Sequence, residues 1–160
     1  EILSSVPMKE HKSFINSSAH GYTALSLAAE QGRIPIAKYL IENGAEVDRL
    51  TPGIEGEEDS KGWSPLHLAS KSEKLEMIDL LIHNGANIDL QSDNQYRYTP
   101  MHIAAERNLA ETVSGLLKHG ANKNIKSADK LTPYDLASLK GRSAVCEVLD
   151  NYVVAERFKR

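Results

Sequence analysis

The chain has 160 residues, a formal charge of −3 and 41% hydrophobic residues, enough for one domain with an elongated core. The mild charge supplies no basic stripe for nucleic acid, and no apolar run approaches the ~18–20 residues of a membrane-spanning helix. A single cysteine, Cys146, excludes an internal disulfide framework and fits a reducing compartment, cytoplasmic or nuclear.

Residues 1–20 read as an N-terminal segment, a partial repeat. Phe14-Ile15-Asn16 resembles the polar connector of the units further on, which would place residues 1–10 in a preceding second helix that Pro7 fits poorly. From Thr23 onward one phrase recurs: Thr23-Ala24-Leu25-Ser26, Ser64-Pro65-Leu66-His67, Thr99-Pro100-Met101-His102 and Thr132-Pro133-Tyr134-Asp135. Their starts are 41, 35 and 33 residues apart, and Gly44, Gly85 and Gly120 each lie 21 residues past the opening Thr or Ser. Other columns agree: Ala28, Ala69, Ala104 and Ala137; Leu40, Leu81, Leu116 and Leu149; Asp48, Asp89 and Asn124. Each unit predicts a short helix capped by Thr or Ser, with proline suited to its first turn. A tight turn, a longer helix, a glycine stop and a polar connector follow. One unit cannot bury its Leu and Ile stripe alone, so neighbours stack and share a core.

This pattern resembles the ankyrin repeat family over about residues 21–154. The resemblance implies an all-α repeat solenoid of helix–turn–helix units with hairpin-like fingers, the repeats running approximately 21–61, 62–96, 97–129 and 130–160. The chain departs from the family pattern in several places. Glu73 and Asn108 stand where the family usually has glycine between its helices, and Val153-Val154 replaces Gly-Ala in the last unit. We read that unit as a C-terminal cap whose second helix runs on toward Arg160. The start at Glu1 and the basic end from Glu156 to Arg160 read as marks of a piece of a longer protein.

A search for chemistry finds little. His67 and His102 fall in the motif column, where the family uses the ring to hydrogen-bond backbone around the turn. No paired Cys-x-x-Cys, His-Glu-x-x-His, nucleophile-elbow or phosphate-loop spacing is present. Cys146 shares its column with Ala37, Ile78 and Val113 and reads as packing. No enzyme activity, cofactor or metal is expected.

What remains is a surface. In the family, partner recognition lies on the concave face, at the loop tips and at the end of each first helix. Carried onto this chain, those positions include His20, Tyr22, Glu30, Lys61, Trp63, Lys71, Tyr96, Tyr98 and Arg107, and Arg97 lies between the two tyrosines. Tyr22, Trp63 and Tyr98 share one column and would form an aromatic line across the face, with Trp63 as the main anchor. The first two units are 8 and 2 residues longer than the 33-residue third, and both insertions fall at the tips. The first carries an acidic finger, Glu55, Glu57, Glu58 and Asp59, which would favour a basic segment of a partner.

The expectation is a monomeric module that binds a partner protein or peptide within an adaptor, scaffold or effector. It binds neither nucleic acid nor membrane. Two alternatives stay open. One is a nucleotide or small-ligand site built from Tyr22, Trp63, Tyr98, Lys61, Lys71 and Arg107. The other is a regulatory domain docking in cis within a multidomain enzyme.

Overall fold

The computed structural model describes residues 8–55 and 61–158. Nine helices occur among them: α1 (Met8–Ile15), α2 (Ala24–Gln31), α3 (Ile34–Glu42), α4 (Pro65–Lys71), α5 (Leu75–His83), α6 (Pro100–Glu106), α7 (Ala110–Lys118), α8 (Pro133–Leu139) and α9 (Ser143–Phe158). A short antiparallel hairpin, β1 (Ser18–Ala19) and β2 (Tyr22–Thr23), precedes α2, with Ser18 opposite Thr23. The helices pair as α2–α3, α4–α5, α6–α7 and α8–α9, and the first members stack in a row, α2 on α4, α4 on α6 and α6 on α8. This is an all-α repeat array with hairpin-like tips.

The motif builds each first helix in the same way. Thr23, Ser64, Thr99 and Thr132 accept from the backbone N–H three residues on, and the side chain there accepts from the cap's own N–H. That reciprocal pair satisfies two donors that a helix start otherwise leaves open. The alanine column is buried, with Ala69, Ala104 and Ala137 fully so, which lets one first helix lie close against the next. Leu81, Leu116 and Leu149 join Ile78, Val113 and Met77 in one continuous core running through all the units. Cys146 packs partly against that core.

A second set of bonds ties unit to unit at the connectors. The Asp48 carboxylate accepts from Asn87 N–H at 3.0 Å and that of Asp89 accepts from Asn122 N–H at 2.8 Å. Asn16 does the same work at the N-terminal end, with its Oδ1 2.7 Å from Glu46 N and its Nδ2 donating to the Gly44 carbonyl. The expectation that Phe14-Ile15-Asn16 forms a connector after a helix over residues 1–10 needs correcting. Phe14 and Ile15 end α1, and only Asn16 plays the connector's part. At the other end α9 continues through Val153-Val154 to Phe158, since nothing there supplies a glycine stop.

The tight turn within each unit has one left-handed residue, at Gly32, Glu73, Asn108 and Gly141. Their φ angles are 69°, 55°, 63° and 67°. The backbone geometry is thus the same whether or not glycine is present. Glutamate bears the strain of a Cβ in that region, about 1 kcal/mol. We expect Glu73→Gly to raise stability by about 0.5–1 kcal/mol after allowing for the greater freedom of glycine in the unfolded chain. Urea unfolding followed by circular dichroism checks this, and a loss of stability would show that the Glu73 side chain makes a contact outweighing the strain.

Candidate functional site

The loop tips are positioned by a repeating clamp. Thr51, Ser92 and Ser127 are buried, and each donates its N–H to a carbonyl across the tip, that of Trp63, Tyr98 and Leu131 respectively, at 2.8–2.9 Å. Each also accepts the returning N–H of that same residue on its hydroxyl. The tips are linked in turn: Asp93 N–H donates to the Gly62 carbonyl at 3.0 Å and Ala128 N–H to the Tyr96 carbonyl at 2.9 Å.

Beneath the tips lie the motif histidines. The His67 ring accepts from Ser64 N–H at Nδ1 and donates from Nε2 to the Tyr98 carbonyl at 2.9 Å. His102 repeats this with Thr99 N–H and the Leu131 carbonyl at 3.0 Å. Both rings are neutral Nε2–H tautomers and both reach into the following unit. Burial pushes His67 down from 6.5 to about 4 and lowers His102 for the same reason. These are structural histidines, and no group of three or more His, Cys, Asp or Glu among the described residues could hold a metal ion.

The structure brings Trp63, Lys71, Tyr96, Tyr98 and Arg107 to one cleft of ≈ 390 Å³, with Ile103, Glu106 and Lys140 completing its wall. Trp63 and Tyr96 are half-buried, but Tyr98 is only 8% exposed. The expected exposed line of three aromatics is therefore corrected. Tyr98 stacks on His102 at 5.5 Å with 5° between the rings, lies 5.4 Å from Tyr96, and packs with Ile103 and Leu136 as a small core of its own. Burial and the nearby Glu106 carboxylate push its phenol up to about 12, so it stays protonated. Trp63 meets the edge of His67 at 5.5 Å.

Other expected residues lie elsewhere. His20 and Tyr22 line a separate apolar groove of ≈ 720 Å³ at the N-terminal end, with Phe14, Leu27, Tyr39 and Ile54. Glu30 approaches Lys71 at 3.9 Å, a loose and exposed ion pair. The Arg97 guanidinium is held by Gln91 Oε1 at 3.1 Å, and Gln91 Nε2 in turn donates to the carbonyls of Arg97 and Lys126. Lys61 is exposed on its tip. Of the acidic finger, Glu55 is exposed, while Glu57, Glu58 and Asp59 lie outside the described residues.

Sequence reasoning left Lys74 and Arg142 unmarked. They follow the left-handed turn residue and line a trough of ≈ 900 Å³ that shares Lys71, Glu106, Arg107 and Lys140 with the cleft. A signal was present in the same column, which reads Arg33, Lys74, Leu109 and Arg142.

Capped helix pairs with a shared core and linked tips define a helical repeat array. The ankyrin repeat model matches residues 20–49, and the model for ankyrin repeats in three copies matches residues 50–127 and 89–155. The chain belongs to the ankyrin repeat family, whose members are generally protein–protein interaction modules. No curated protein matches it. No helix among the described residues is long and apolar enough to cross a membrane.

Proposed function

We propose that this chain binds a partner protein or peptide on its inner face, with the cleft under Trp63 and Tyr96 as the anchoring point. The observation that carries the reading is the meeting of two half-buried aromatics from adjacent tips with Lys71, Arg107 and Lys140 from the C-terminal ends of three successive first helices. Aromatic rings beside cations are the composition of binding hot spots, because they bury much area and still make polar contacts. Hydrogen bonds to Thr51 and Asn94 hold the backbones of Trp63 and Tyr96 in place, so little ordering cost accompanies binding at these two residues. A basic stretch of the partner would meet the acidic finger at the tips. The module would serve as the recognition part of an adaptor or scaffold.

A stacked nucleobase is the weaker reading. One face of Tyr98 is already taken by His102, and Glu106 stands within the cleft.

Affinity capture from cell lysate with the wild-type chain and with Trp63→Ala/Tyr96→Ala tests the proposal. Both substituted side chains are only half-buried, and circular dichroism verifies that the variant keeps its helices. A partner retained by the wild type and lost by the folded variant supports the inner face. A partner kept by both moves recognition to the N-terminal groove or the outer helices.

A further inference from the structure

The charge of the trough runs against that of the chain. Its lining holds five cations, Lys71, Lys74, Arg107, Lys140 and Arg142, against two carboxylates, Glu73 and Glu106, a local excess of three positive charges. The whole chain carries −3.

The cations are also unevenly engaged. Glu106 is bound by Lys140, and Arg142 Nε donates to the Glu106 carbonyl at 2.8 Å. Lys71 reaches only the loose contact with Glu30. Among the described residues, the Lys74 ammonium and the Arg107 guanidinium have no hydrogen-bond or ion-pair partner. Lys74 and Arg107 come from different units, and the cleft with its aromatic roof opens between those units onto the same trough.

We propose that the trough takes an acidic linear segment of the partner, one apolar side chain of which enters the cleft beneath Trp63 and Tyr96. This rests on the inner-face reading above and specifies the chemistry of the occupant. Carboxylates of the segment would meet Lys74 and Arg107, the cations with no internal partner. A concave surface of one sign concentrates a ligand of the other sign and speeds its arrival. The apolar anchor then slows departure, because it buries area in a preformed pocket. A peptide fits better than a nucleic acid, since Glu73 and Glu106 would face a continuous phosphate chain and the Tyr98 ring is already covered by its neighbours.

The chain's single tryptophan gives a direct readout, because Trp63 lies at the cleft. The probes are synthetic 12-residue peptides without Trp or Tyr. One alternates Asp and Glu around a central Phe, one replaces that Phe by Ala, one replaces every acid by Lys, and one replaces every acid by Ser. A dT12 oligonucleotide is the fifth probe.

The acidic Phe peptide is expected to shift Trp63 emission and to bind about tenfold more tightly than the Ser, Lys or Ala versions. Affinity should fall when salt is raised from about 50 to 300 mM. Lys74→Glu/Arg107→Glu should weaken it at least tenfold while the helical signal is unchanged, because both side chains are exposed. Tighter binding of the Lys peptide, tighter binding of dT12, or an unchanged affinity in the charge variant overturns the acidic assignment. If the Ser or Lys peptide binds as tightly as the acidic one and Tyr96→Ala abolishes that binding, the inner-face reading stands while the acidic one falls. If no probe binds in a way that depends on Tyr96, both fall.

Discussion

Gly62→Ala is expected to destabilise the array by about 3 kcal/mol, the combined scale of left-handed strain and a backbone overlap. Gly62 has φ 77°, and a Cβ built there would lie 2.5 Å from the Asp93 carbonyl carbon and oxygen. Those are backbone atoms, which cannot swing away as a side-chain end can. Gly62 is also the middle link between two tips, since its N–H donates to the Thr51 carbonyl at 2.8 Å and its own carbonyl accepts from Asp93 at 3.0 Å. Moving Asp93 aside would break that second bond and pull on the Ser92 clamp that holds Tyr98. The matching control is Lys130→Gly. Lys130 occupies the equivalent left-handed position with φ 63° and is exposed. Relief of strain there should be neutral or stabilising by up to about 1 kcal/mol. Urea unfolding of both variants checks the pair, and a loss below about 1 kcal/mol for Gly62→Ala would mean that the tips separate easily.

Acidification from pH 7 to pH 5 should cost about 2 kcal/mol through His67 alone, at about 1.4 kcal/mol per pH unit. Burial disfavours the charged ring and lowers its pKa from 6.5 to about 4, and the neutral ring leaves Nδ1 free to accept from Ser64 N–H. The unfolded ring titrates near the ordinary value, so between about pH 6.5 and 4 the unfolded chain binds the extra proton. Stability from this source is fully present above 6.5 and drains away as pH falls toward 4. His102 is lowered by the same cause and acts in the same direction. Urea midpoints at the two pH values measure the sum. Replacing both rings by serine, the residue found at Ser26 in the first unit, should lower stability at pH 7 and flatten its dependence on pH over this range. A wild-type His67 ring that titrates near 6.5 by NMR would refute the argument.

The repeat columns made much of this legible in advance. Caps, proline positions, the alanine contact and the leucine stripe follow from spacing, since each depends on residues within a few positions of one another. The site was read less well, for a physical reason. Exposure in the Tyr22, Trp63, Tyr98 column is decided by the next unit. Tyr98 is buried with Leu131, Leu136 and Ile103 around it and a histidine ring beneath. Tyr22 has Ser26 in place of that histidine and lies in the N-terminal groove. Within the unit only that histidine distinguishes the two tyrosines, and the rest of the cover over Tyr98 comes from Leu131 and Leu136 of the next unit. Lys74 and Arg142 lie outside the tips and first-helix ends to which the family resemblance points, yet the residue after the turn also faces the trough. Glu73 showed the reverse. A departure from glycine in the sequence proved to be no departure in the backbone.

The two buried rings have one more consequence. Each donates across a boundary, His67 to Tyr98 in the third unit and His102 to Leu131 in the fourth. Each imidazole is thus an internal gauge of a single seam. If the C-terminal end frays first in acid, the His102 resonance will drift before that of His67, and the order of the two will record the direction in which the stack unzips.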